Sequence, residues 1–136
     1  MNVSDGTLRA LGVLIALFQG IGLEADCPLV GLEEPELALH PAAASALLDA
    51  VQEAAESRQV VVTTHSPDLL DSSLVTADMI RPVIMVQGET RSGPVDDAGR
   101  TALAEGLYNP GELLRMNQLA PAAMNADQLR AGAPDI

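Results

Sequence analysis

Two short apolar runs constrain this chain more than any other feature. Pro28-Leu29-Val30-Gly31-Leu32 and Gln59-Val60-Val61-Val62-Thr63-Thr64 both lack the polar alternation of a half-solvated strand. Such runs suit strands covered on both faces, as in a parallel sheet. A helix fits between them. Pro41 is placed for a first helical position. The periodicity predicts a helix from there to about Ser57, with Leu47, Leu48, Val51 and Ala55 inward. Asp49, Gln52, Glu53 and Glu56 then face water. Strand, helix and strand in that order predict a right-handed crossover and parallel pairing. The fold class is therefore α/β.

The flanks extend this frame. Ser4-Asp5-Gly6 reads as a turn opening a helix in which Leu8, Leu11, Leu14, Ile15 and Phe18 recur at helical spacing. Gly20 and Gly22 end it. Ser66 and Pro67 open a short helix to about Asp71. Pro82 to Gln87 predicts a strand, with Thr90 to Val95 as its candidate hairpin partner. Asp97 to Leu107 and Gly111 to Asn117 predict short helices. With 136 residues the chain suits one domain, read as 1–119. Residues 120–136, rich in Ala, Pro and Gly, predict a frayed tail.

Charge narrows the function classes. The net charge is −12 and every basic residue is Arg, with no Lys anywhere. Such an acidic chain does not imply nucleic-acid binding. A chain without Lys also cannot contain the phosphate-binding motif G-x-x-x-x-G-K-[ST]. Cys27 is the only cysteine, so no internal disulfide can form and a reducing, cytoplasmic setting is expected. The longest apolar run, Ala10 to Phe18, falls short of the roughly 20 residues that span a bilayer.

The chemistry-bearing residues fall where the two apolar runs stop. The first ends in Glu33 and Glu34, the second in His65. Parallel sheets place ligands at the C-terminal ends of their strands. There one carboxylate can hold Mg²⁺ and another can orient or deprotonate an attacking water. A neutral imidazole can contact a phosphate or that water. Taken singly, each motif also fits a plain structural role: a solvated acidic loop, a structural histidine, a capped helix. A zinc site from Cys27, His40 and His65 is a weak competitor, because their spacing is not that of zinc ligands.

The order of the motifs carries a resemblance. Ser4-Asp5-Gly6-Thr7 before a helix resembles the signature motif of ABC-type ATPases. Leu29 to Glu34 resembles their Walker B strand. Leu39-His40-Pro41 resembles the segment that follows it in the subgroup related to chromosome-maintenance and recombination-repair ATPases, and Thr63-Thr64-His65-Ser66-Pro67 resembles the switch histidine. The four motifs keep family order over residues 4 to 67, about half the chain. The chain looks most like the AAA-type ATPases of that subgroup.

That resemblance implies the C-terminal half of a nucleotide-binding domain with a partial P-loop NTPase fold. It implies ATP with Mg²⁺ as ligands. Glu33 would take the metal position, Glu34 the catalytic base and His65 the γ-phosphate sensor. Ser4, Asp5 and Gly6 would contact ATP bound by a partner protomer in a head-to-tail dimer. A helix N-terminus suits that contact, since its free N–H groups face an anion.

Three departures accompany it. Glu33 stands where classical transporters have Asp, and Val3 where Leu usually precedes the signature Ser. The phosphate loop, expected upstream of the signature motif, has no counterpart in Met1-Asn2-Val3. An ATPase half-domain needing a complementary N-terminal half or an intact homologous ATPase is thus the leading expectation. A non-catalytic dimerisation module and a metal-dependent phosphohydrolase using Glu33, Glu34 and His65 are the alternatives.

Overall fold

The computed structural model describes residues 5–19, 28–37, 39 and 43–122. The chain separates into two compact units, residues 1–72 and 73–136.

The first unit contains helix α1 (Asp5–Phe18), strand β1 (Leu29–Glu33), helix α2 (Ala44–Ala55), strand β2 (Gln59–Thr63) and helix α3 (Pro67–Leu70). β1 and β2 pair in parallel, from Leu29 opposite Gln59 to Glu33 opposite Thr63. Side chains alternate along a strand, so Val30, Leu32, Val60 and Val62 share one face. Val30 forms a buried core with Leu17 of α1 and Ala54 of α2. Val13, Ala16, Phe18, Leu32, Ala50, Val51 and Val60 pack around it. At the start of β2 the guanidinium of buried Arg58 donates to the Gln19 carbonyl just past α1, at 3.0 Å.

Both large helices lie on that one face. The opposite face carries Leu29, Gly31 and Val61, with Leu29 52% and Val61 47% exposed. A Cβ added to Gly31 would meet nothing within 4 Å. The expectation that both strands are covered on both sides is therefore corrected: the described residues supply a layer for one side only.

Helix α1 departs from its sequence reading in the same way. Its buried stripe is Val13, Ala16 and Leu17, whereas Leu8, Leu11, Leu14 and Ile15 are exposed. At 100° per residue these sets occupy opposite sides of the helix. On α2, Leu47 is buried as expected, but Ala54 rather than Ala55 turns inward. Seven residues after Leu47 return almost to the same side, and eight overshoot it. Within the described residues the α-helix runs from Ala44. Ser66 occupies the N-cap of α3 with Pro67 after it, yet its side chain makes no capping bond. Gly20, Gly22, Cys27, His40 and Pro41 lie outside the described residues.

The second unit opens with a 3₁₀ turn (Ala77–Met79), followed by strands β3 (Val83–Val86) and β4 (Glu89–Ser92) and helices α4 (Asp97–Ala104) and α5 (Pro110–Arg115). β3 and β4 form an antiparallel hairpin closed by Gln87 and Gly88, whose φ values are 52° and 84°. Two successive positive φ values give the I′ turn that matches strand twist. Asp96 caps α4 by accepting from the Gly99 amide at 2.8 Å. A Cβ at buried Gly99 would approach Val95 Cγ1 to 2.8 Å, so this close contact requires glycine. Asn109 and Glu112 form a reciprocal capping box on α5, both bonds at 2.8 Å. Ala120 and Ala122 bond to the backbone of Asp96 and Pro94. These residues at the head of the expected tail are therefore held, and 123–136 lie outside the described residues.

The protein is mixed α/β, with a small parallel sheet, flanking helices and a C-terminal hairpin. That arrangement is a partial P-loop NTPase-like fold. Among the described residues no helix is long and apolar enough to cross a membrane.

Candidate functional site

Parallel pairing carries β1 and β2 to a common carboxyl edge. Glu33 and Thr63 are the last partners of the ladder, and the Glu34 amide adds one rung by donating to the Thr63 carbonyl at 2.9 Å. The chain then turns sharply. Glu34 has φ 40°, in the left-handed region that non-glycine residues seldom occupy. Its carbonyl accepts from the Leu37 amide at 3.1 Å, which closes the turn around buried Pro35. A left-handed residue reverses the chain at once, so Glu34 stays at the strand end.

The switch turn meets it from β2. His65 Nε2 lies 3.7 Å from Glu34 Oε1. The His65 side chain is 91% exposed and the Glu34 side chain 30%. At that separation the pair makes no direct hydrogen bond, and it becomes an ion pair only when the imidazole is protonated. Glu33 is exposed on the uncovered face of the sheet. The structure thus brings Glu33, Glu34 and His65 to one edge of adjacent strands.

Asp5 and Gly6 open α1, and Ser4 lies outside the described residues. Among the described residues no three His, Cys, Asp or Glu side chains converge to hold a metal. Two further residues at this edge were given no role of their own by the sequence. The Thr64 hydroxyl donates to Glu36 Oε1, and Thr64 Oγ1 accepts from the Ser66 amide at 2.9 Å. The contact joins residues 28 positions apart, and no local pattern announces it.

The site lies within a span that matches a known family. The model described as "AAA domain, putative AbiEii toxin, Type IV TA system" matches residues 2–71. No curated protein matches the chain. The matched span ends one residue before the first compact unit does. It includes both strands and every residue named at their shared edge. With more than half of its 136 residues matched, the chain belongs to this AAA domain family and carries an AAA-type, P-loop ATPase-like domain.

Proposed function

We propose that the chain is the C-terminal half of an ABC-type nucleotide-binding domain, of the subgroup related to chromosome-maintenance and recombination-repair ATPases. It would hydrolyse ATP once a complementary half or an intact homologue supplies the phosphate loop. The observation that carries the reading is the approach of His65 to Glu34 at 3.7 Å, at the carboxyl edge of two parallel strands.

In this reading Glu34 acts as general base toward the attacking water, and the exposed imidazole of His65 contacts the γ-phosphate. Mg²⁺ takes few protein carboxylates and completes its shell with water and phosphate oxygens. A single exposed carboxylate at Glu33 fits that donor set. When bound, the ion supplies charge neutralisation to the phosphates. Glu33 would hold it, directly or through water. Ser4, Asp5 and Gly6, at the start of α1, would face ATP held by the partner protomer, so the assembly would be a head-to-tail dimer.

A metal-dependent phosphohydrolase using Glu33, Glu34 and His65 is the other catalytic reading, and phosphatase activity with divalent metal and no partner would favour it. A non-catalytic dimerisation module would share the same surface, and hydrolysis separates it from the ATPase. In the complex with a phosphate-loop half, Glu34→Gln should slow hydrolysis by on the order of 10²–10⁴-fold with ATP binding retained. A mutant turning over ATP at the normal rate would remove Glu34 from the mechanism.

A further inference from the structure

We propose that Glu36 and Thr64 are positioning residues, which clamp the turn carrying Glu34 to the turn carrying His65. The proposal rests on the catalytic reading of that edge and adds a device that sets its geometry.

His65 is held by very little. Its side chain is 91% exposed, so packing does not fix it, and its direction follows from its backbone. That backbone is stapled on both sides by one neighbour. Thr64 Oγ1 accepts from the Ser66 amide at 2.9 Å, spanning His65. The same hydroxyl gives its only proton to Glu36 Oε1. One side chain therefore shapes the switch turn and binds it to the turn after β1.

The ladder does not do this. Its last rung is the Glu34 amide on the Thr63 carbonyl, and no later backbone bond joins the two segments among the described residues. Beyond that rung the Thr64–Glu36 hydrogen bond takes over. Glu36 also depends on it. Its Oε2 is buried without a hydrogen-bond partner among the described residues. Removing the Thr64 hydroxyl would leave a half-buried carboxylate with neither oxygen satisfied among the described residues. Such a group moves toward water. Glu36 would then carry its turn away from His65.

The clamp predicts coupling across 27 residues of sequence, from Thr64 to Leu37. The Leu37 amide bonds to the Glu34 carbonyl and makes no bond to Thr64. Hydrogen exchange of the full chain, read by mass spectrometry with residue-level fragmentation at low micromolar concentration, tests this. Thr64→Val keeps the shape and deletes the hydroxyl. It should speed exchange at both Ser66 and Leu37 by about fivefold, the value of one typical net hydrogen bond. Thr64→Ser should restore both amides to wild-type rates. Glu36→Met should speed Leu37 even if the valine variant proves globally unfolded. Faster exchange at Ser66 alone in Thr64→Val, or an unchanged Leu37 in Glu36→Met, would overturn the clamp. With a phosphate-loop half present, Thr64→Val should lower kcat with little change in KM, and Thr64→Ser should recover it. If the exchange pattern appears but neither Thr64→Val nor Glu34→Gln alters hydrolysis, the clamp stands and the catalytic reading of the edge falls.

Discussion

His65 Nε2 lies 3.7 Å from Glu34 Oε1, although 30 residues of chain separate the two. They meet because β1 and β2 run parallel and stop together, at Glu33 and Thr63. Each side chain is the first or second residue past its strand. The meeting is thus a property of the ladder's end. It puts an acceptor and a titratable ring beside each other in an open, polar edge, where water and phosphate can enter.

The left-handed backbone of Glu34 implies a conflict between stability and chemistry. A non-glycine residue there costs on the order of 1–2 kcal/mol. Glycine relieves that strain but enlarges the unfolded ensemble by about 0.4–1 kcal/mol. Glu34→Gly should therefore leave the urea midpoint unchanged or raise stability by up to about 1.6 kcal/mol, while abolishing hydrolysis in the completed ATPase. Equilibrium unfolding measures the first part. A loss above about 1 kcal/mol would show that the glutamate side chain stabilises the fold.

Nucleotide affinity should be poor in the chain alone. Without Lys it has no phosphate-loop motif to cradle the β- and γ-phosphates. Calorimetric titration with Mg-ATP should give a Kd of about 1 mM or weaker, roughly −4 kcal/mol. A micromolar Kd, about −8 kcal/mol, would reveal a nucleotide site elsewhere in the chain.

Self-association should follow from two uncovered apolar surfaces. One is the Leu8, Leu11, Leu14 and Ile15 side of α1; the other is the Leu29 and Val61 face of the sheet. Exposed apolar patches of more than a few hundred Å² mark interfaces or aggregation sites. Light scattering should rise with concentration and fall when a complementary N-terminal half or an intact homologous ATPase is added. Replacing Leu8 and Leu11 with Glu should lower scattering without lowering the unfolding midpoint. A stable monomer at high concentration would show that these surfaces need no cover.

The elements were legible in the sequence to the extent that their signals are local. The runs at Leu29 and Val60 announced the strands, and the helix between them implied parallel pairing. The carboxyl-edge location of Glu33, Glu34 and His65 follows from those two facts. Burial was less legible. Helix α1 is apolar on opposite sides, and periodicity does not say which side has a partner. An unalternating strand announces two apolar faces, although only one is covered by the described residues. The left-handed turn at Glu34 left no mark, because only glycine and asparagine advertise that conformation. Gln87 hid its share of the hairpin turn for the same reason. The Thr64–Glu36 bond is a tertiary contact between two ordinary polar residues, and only coordinates bring them together.

The register of β1 on β2 also dictates where this sequence tolerates changes of length. Strands advance about 3.3 Å per residue and reverse side-chain direction at each step. Deleting one residue between Gln59 and Thr63 would slide His65 by about that distance from Glu34. It would also exchange the core-facing valines for the outward ones. A two-residue deletion would keep the faces and displace His65 by about 6.6 Å. Insertions and deletions among related sequences should therefore be excluded from the strands, where a single codon would part Glu34 from His65.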